Sequence, residues 1–225
     1  MNHFNWDRIE DMFNALHNAN CKYIILRNYE EIDEDNFYTS GHADIDFLTA
    51  DAKEFASIVK AYPRTDGYDD SIHYKVMINN TEVIIDLRSV GDGYYDTNCE
   101  KKILNSRIKK DNRFYIADDV NYYYSLTYHA ILQKKVLADD YLYRLTTMAK
   151  DLGIDADTEA KHLRELEAFM KRNGYYYTYP FDAWVPLRTE IVDSSMIKKN
   201  TNVKVRDFKQ SILSFGSKIK HTIVK

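Results

Sequence analysis

Gly41-His42-Ala43-Asp44-Ile45-Asp46-Phe47-Leu48 is the stretch on which the reading of this chain turns. Side chains of a strand alternate between faces, so Asp44 and Asp46 share one face while Ile45 and Phe47 share the other. The apolar face calls for a core. The acidic face is harder to explain, because neighbouring carboxylates repel each other and resist desolvation unless a cation neutralises them. Further along, Glu82-Val83-Ile84-Ile85-Asp86-Leu87 carries a third acid on a second apolar run. Converging carboxylates are hard oxygen donors of the kind that Mg²⁺ or Mn²⁺ prefers, which makes Asp44, Asp46 and Asp86 the expected metal ligands.

Working outward, residues 5–19 read as a helix with Trp6, Ile9, Phe13 and Leu16 on one face. Lys22 to Leu26 reads as a buried strand ending at Arg27, and residues 28–40 are acidic and irregular. Ala52 to Ala61 is predicted to be a helix capped by Asp51. Tyr74 to Ile78 and Glu82 to Leu87 flank Asn79-Asn80, a hairpin turn. A loop with Gly91, Asp92 and Gly93 follows, then a short helix around residues 101–106. After Asp118 the pattern is helical: Val120 to Val136, Asp140 to Leu152 stopped by Gly153, and Thr158 to Lys171 with Asp157 as cap and Gly174 past its end. Leu163, Leu166 and Met170 recur at helical spacing as a core stripe. The expected fold class is α+β: a mixed αβ sheet domain over residues 1–117, a helical subdomain over 118–197 and a tail over 198–225.

At 225 residues the chain is long enough to bury a sizeable core, and its 44% hydrophobic and 29% charged residues are those of a globular protein. Cys21 and Cys99, the two cysteines, provide no disulfide framework and no metal-ligand spacing. No signal-peptide apolar region opens the sequence and no run nears the roughly 18 apolar residues of a membrane span, so a cytoplasmic location is expected. Charge is split. From Lys198 to Lys225 eight Lys or Arg stand against one acid, Asp207, giving +7; since the whole chain is −4, residues 1–197 carry −11. So acidic a body is not expected to bind nucleic acid broadly.

A strand-borne Asp-x-Asp, entered from a loop and joined by a third acid on a later strand, resembles the nucleotidyltransferase (DNA polymerase β-like) superfamily. The resemblance rests on Ala43-Asp44-Ile45-Asp46-Phe47-Leu48 and Ile84-Ile85-Asp86-Leu87, spanning roughly residues 20–90 and more loosely the helices to about 150. It implies a nucleotidyltransferase-like fold followed by a helical subdomain. It also implies that Asp44, Asp46 and Asp86 are catalytic and hold divalent metal on a nucleotide's phosphates. Where the family has a Gly-Gly or Gly-Ser turn, this chain reads Ile25-Leu26-Arg27-Asn28-Tyr29, with Arg27 able to offer phosphate a charged fork. The Leu-Arg-Asn-Tyr-Glu and Asp-Ile-Asp combination of residues 24–48 is also similar to nucleotidyltransferase-fold proteins of surface-polysaccharide synthesis. Those are of the LicD and fukutin type, which move a phospho-alcohol from a nucleotide-activated donor onto a glycan. That resemblance implies a nucleotide or nucleotide-activated donor and a glycan or other hydroxyl acceptor. Two alternatives stand beside it: a toxin-like nucleotidyltransferase modifying RNA or protein, and a non-catalytic nucleotide-binding or scaffold module.

Further substrate contacts are expected from Arg27, Asn28 and Arg88, the last facing the same side as Asp86. His73 and Lys75 share one face of the strand leading into the Asp86 hairpin, and His42 directly precedes the acidic strand. Asp92 sits on a loop of the kind that carries ligand contacts. His129, one turn before Gln133, and Lys134 are candidates from the helix that follows. Each of these has a plainer reading as a salt-bridge partner, a satisfied core histidine or a solvated charge. In the tail, Phe208, Ile212, Phe215, Ile219 and Ile223 recur at helical spacing among Lys204, Arg206, Lys209, Lys218, Lys220 and Lys225. Such a basic amphipathic segment over 203–225 suits an anionic membrane surface, making the protein peripheral at the inner face of the membrane.

Overall fold

The structure is a computed structural model that describes residues 3–32, 44–64, 72–182 and 184–198. It is mixed α/β, with one mixed parallel and antiparallel sheet and six helices among the described residues. By contacts the chain divides into two units, Met1–Val90 with Thr97–Leu126, and Gly91–Asp96 with Thr127–Lys225.

The first unit holds the sheet. Its strands are β1 (Asn5–Trp6), β2 (Tyr23–Ile25), β3 (Asp44–Thr49), β4 (Tyr62–Pro63), β5 (His73–Ile78), β6 (Thr81–Ser89), β7 (Ile108–Lys110) and β8 (Phe114–Ile116). They run in the order β1-β5-β6-β3-β2-β8-β7, with β4 paired to β5. β3, the acidic strand, lies in the middle, parallel to β6 and antiparallel to β2. Paired on both sides, its backbone groups are satisfied, so its side chains stand on a stiff support.

Ile45 and Phe47 point into a core closed by α1 (Ile9–Asn18) and α2 (Ala52–Val59), through Ile9, Phe13, Leu16, Phe55 and Val59. Phe47 and Ile85 are fully buried, and burial of each such side chain contributes about 1.5–3 kcal/mol. α2 begins where its cap predicts: the Asp51 side chain accepts from the backbone N–H groups of Lys53 and Glu54. The β5–β6 hairpin turns at Asn79 and Asn80, with φ of 47° and 59°, the left-handed conformation that asparagine tolerates best among non-glycine residues. Cys21 and Cys99 are free and buried, and burial pushes the Cys21 thiol up to about 11, away from nucleophile chemistry.

Several expectations need correction. Trp6 belongs to β1 rather than to the first helix; extended backbone at Arg8 delays α1 to Ile9, and the Trp6 indole N–H donates to the Val59 carbonyl. β1, β4, β7 and β8 were not read from the pattern, because two or three residues span too little of an alternation to register. α3 (Thr97–Asn105) starts earlier than the helix expected near residue 101. α4 (Asp119–Leu132) stops short of Val136, which is largely exposed and has no core to continue into.

The second unit holds α5 (Asp139–Asp151) and α6 (Glu159–Asn173). α6 is capped by Thr158, whose hydroxyl accepts from Lys161 N–H, and not by Asp157, whose carboxylate pairs with the Lys161 ammonium at 3.1 Å. The buried stripe of α6 is His162, Leu166, Phe169 and Met170, with Leu163 only partly covered. Within the same unit the 91–96 loop packs tightly. Thr178 Oγ1 donates to the Gly93 carbonyl, and Phe181 N–H to the Asp92 carbonyl. The basic tail segment and His42 lie outside the described residues.

Candidate functional site

In the β3–β6 ladder Asp46 is registered with Asp86. Partners on adjacent parallel strands present their side chains on one face, so two carboxylates stand next to each other on the face turned away from the α1–α2 core. Asp44, on that face by alternation, is exposed at the start of β3, whereas Asp46 is 6% exposed.

The surrounding cations are placed by the same ladders. Leu26 N–H donates to the Asp46 carbonyl, carrying the β2–β3 pairing one residue past β2 and leaving Arg27 beside Asp46. Arg27 Nη2 lies 2.5 Å from Asp46 Oδ1, with about a tenth of either side chain exposed. The next residue, Asn28, has φ of 56°, so the chain turns at the end of β2 in the left-handed conformation a glycine would otherwise supply. In the β5–β6 ladder His73 is opposite Asp86, with Nδ1 at 2.6 Å from Oδ1. An ionised carboxylate only accepts, so His73 Nδ1 carries the proton. Arg88, buried two residues along β6 on the same face, comes within 3.6 Å of Asp86 Oδ2.

The two acids are driven in opposite directions. Burial pushes the Asp46 carboxyl above its ordinary range, with Asp86 and Asp44 adding to it, and the charges of Arg27 and Arg88 do not cancel this. At Asp86 burial also acts upward. It is outweighed by the hydrogen bond from His73 and by the charges of Arg88, His73 and Arg27, so that carboxyl is held below its ordinary range. Asp86 is therefore held toward its ionised form, while burial makes ionising Asp46 costly even with an arginine against it.

Asp46 and Asp86 suit a divalent cation by chemistry and register, as hard oxygen donors on adjacent strands. Among the described residues no three His, Cys, Asp or Glu side chains come together as a metal-holding group, and the exposed Asp44 is not drawn in.

Of the other expected contacts, Lys75 shares the face of His73 but pairs with Glu82 Oε1 at 2.7 Å, toward the hairpin end. Asp92, His129 and Lys134 fall in the second unit. There Asp92 Oδ1 accepts from Tyr94 N–H, and His129 Nδ1 lies 3.0 Å from the Tyr94 hydroxyl, while Lys134 is exposed. One acid went unremarked in the sequence. Glu100 on α3 is fully buried, in a helix that contacts β3. Its spacing to Ile103 and Leu104, one turn on, was the available signal. No protein-family model matches the chain, and no curated protein matches it in sequence.

Proposed function

We propose that the chain is a Mg²⁺- or Mn²⁺-dependent transferase of phosphorus-containing groups on a nucleotidyltransferase-like fold. It moves a nucleotidyl or phospho-alcohol group from a nucleotide-activated donor to a hydroxyl acceptor such as a glycan. The observation that carries this reading is the registered Asp46–Asp86 pair, two carboxylates side by side on one face of adjacent strands. Asp46 and Asp86 would hold the cation. Bound there, a divalent ion neutralises phosphate charge and holds the attacking and leaving oxygens in line.

The chain's own groups supply the rest. His73 and Arg88 keep Asp86 ionised and fixed in place. Arg27 and Arg88 provide guanidinium forks for phosphoryl oxygens as charge develops on them. The basic segment 203–225, outside the described residues, supports work at an anionic membrane surface, as a lipid-linked acceptor would require. Among the described residues no helix is long and apolar enough to cross a membrane.

A second reading, a nucleotide-binding module without turnover, is favoured by the protein's own cations already standing on both acids. A thermal-shift panel separates the two. ATP, CTP, GTP, UTP and CDP-alcohols are compared with and without Mg²⁺, on wild type and Asp46→Asn. A ligand that binds only the folded state raises the melting temperature, by about 2.7 kcal/mol of stability at a hundredfold excess over Kd. The transferase reading expects a Mg²⁺-dependent shift with one donor class, lost in Asp46→Asn. A shift that ignores both Mg²⁺ and Asp46 supports the binding module, and no shift at all refutes the nucleotide-donor reading.

A further inference from the structure

Two of the chain's three prolines, Pro180 and Pro186, bracket the stretch Pro180-Phe181-Asp182-Ala183-Trp184-Val185-Pro186 in the second unit. Both ends of that stretch are pinned within the unit. On the near side, Phe181 N–H donates to the Asp92 carbonyl, and the Tyr179 carbonyl lies so close to Gly93 that a Cβ there would collide with it. On the far side, Leu187 is buried, Arg188 N–H donates to the Leu132 carbonyl and the Arg188 guanidinium to the Ile131 carbonyl. Between them, the Asp182 carboxylate is buried and accepts from Trp184 N–H at 2.9 Å, while the Asp182 carbonyl accepts from Val185 N–H. A proline fixes its own φ and restricts the residue before it, so little freedom is left. Two large apolar side chains nevertheless stand in solvent there, Phe181 at 38% and Trp184 at 54% exposed. A loose loop could fold such groups away; one tied at both ends keeps them out.

Besides Asp182 and the Trp184 indole, residues 180–187 carry no polar side chain, and Asp182 is engaged inside the loop. A sugar stacked on an aromatic ring also needs polar side chains beside that ring for its hydroxyls, which this sequence does not offer. A lipid interface asks for the opposite. Tryptophan suits it, with the ring toward the acyl chains and the N–H toward the headgroups. The basic segment, +7 over residues 198–225, follows in the sequence. Stable attachment to a membrane takes two signals, and an apolar anchor with a basic patch is one such combination. We propose that Phe181 and Trp184 form a rigid apolar anchor that inserts into the interface of an anionic lipid bilayer. Charge draws the protein to the headgroups, and the two rings bury apolar surface beneath them. This rests on the reading of the basic segment as membrane-binding, and it is independent of the metal chemistry assigned to Asp46 and Asp86.

Trp6 and Trp184 are the two tryptophans, and Trp6 is part-buried with its indole N–H on the Val59 carbonyl, so Trp184 is the ring placed to report. The full-length chain is titrated with vesicles of phosphatidylcholine and phosphatidylserine, with and without brominated acyl chains, and separately with dextran oligosaccharides. Tryptophan emission and co-sedimentation are followed for wild type, Trp184→Ser, Trp184→Phe and Phe181→Ser/Trp184→Ser, each first checked for folding by circular dichroism. Wild-type emission is expected to move to shorter wavelength on vesicles and to be quenched by the brominated lipid, and Trp184→Ser to lose both responses. Vesicle affinity should fall about tenfold in Trp184→Ser, the scale of taking one large apolar side chain out of the bilayer, and further in the double variant. Trp184→Phe keeps an apolar ring and should stay closer to wild type than Trp184→Ser does. Wild-type affinity in the double variant, with no quenching by brominated lipid, refutes the anchor and leaves the basic segment as the whole membrane contact. A Trp184 response to the oligosaccharides and not to vesicles refutes it in favour of a sugar platform. A response that follows protein concentration alone, with a doubled mass in light scattering, refutes it in favour of pairing between copies. Should the wild type bind no vesicles, the anchor and the membrane reading fall together, and the Mg²⁺ thermal-shift panel still judges the metal chemistry.

Discussion

Asp46 and Asp86 are partners in one ladder, yet burial dominates at the first, while the His73 hydrogen bond and the nearby guanidiniums dominate at the second. The acids themselves were legible, because alternation alone puts Asp44 and Asp46 on a shared face opposite Ile45 and Phe47. The His73–Asp86 contact was not read from the sequence, although the hairpin turn contains it. A two-residue turn at Asn79-Asn80 pairs Ile78 with Thr81, and counting outward from there pairs His73 with Asp86. The Arg27–Asp46 contact was not legible, since it depends on how β2 and β3 align across an irregular stretch whose length sets no register. Asp118 offers a separate test at this scale. Its Oδ1 accepts from Asn121 N–H and its Oδ2 from the Asn121 amide, at the start of α4. Burial alone would raise its carboxyl, but bonds from Asn121 and Ser106 and the charge of Lys102 hold it below the ordinary 3.8. A carboxyl depressed in the folded state stabilises above its unfolded value and loses that contribution as pH falls through the folded one. Asp118→Ala is expected to lower stability by about 1 kcal/mol in urea unfolding at neutral pH. The deficit should shrink as the pH is taken progressively below the ordinary 3.8. An unchanged deficit across that range would remove the charged cap from the account.

At the scale of elements, β3, β5, β6 and α2 were visible because each carries several turns of its own period or a strong local cap. The short strands β1, β4, β7 and β8 were not, since pairing with neighbours, and not their own pattern, holds them in the sheet. The cap of α6 was misplaced by one position because Asp157 and Thr158 are both good caps, and tertiary placement chose the hydroxyl. The glycines of the 91–96 loop make a sharper case. Gly91 and Gly93 have φ of 94° and 78°, but a Cβ at Gly93 would collide with the Tyr179 backbone carbonyl, while one at Gly91 meets nothing. Left-handed strain amounts to about 1–2 kcal/mol for a non-glycine residue. Gly91→Ala is expected to lose roughly that much and Gly93→Ala clearly more, in parallel thermal melts. Equal losses would mean that the close approach at Tyr179 relaxes without strain.

For the whole molecule, the telling quantity is the division of charge, −11 over residues 1–197 against +7 over 198–225. It was legible at once, being a matter of composition. What each helix packs against was not, because helix spacing says which face is apolar but not what covers it. Each Lys or Arg near an anionic surface contributes about 1 kcal/mol, so the proposed membrane contact, if made, would draw on the charge of residues 198–225. Deleting residues 199–225 is expected to abolish co-sedimentation with phosphatidylserine-containing vesicles, and raising the salt should do the same to the full chain. Binding that survives both changes would place the contact elsewhere.

The central claim is that Asp46 and Asp86 serve metal-dependent phosphorus chemistry, and ³¹P NMR addresses it most directly. The full-length chain is incubated with the donor selected by the thermal-shift panel and a glycan acceptor, with Mg²⁺ or with EDTA, and followed alongside Asp46→Asn and Asp86→Asn. The expected result is loss of the donor phosphorus signal with Mg²⁺ alone, slowed by at least about a hundredfold in either variant, the scale of a lost electrostatic stabiliser. Turnover that persists in EDTA, or at wild-type rate in both variants, would contradict the claim.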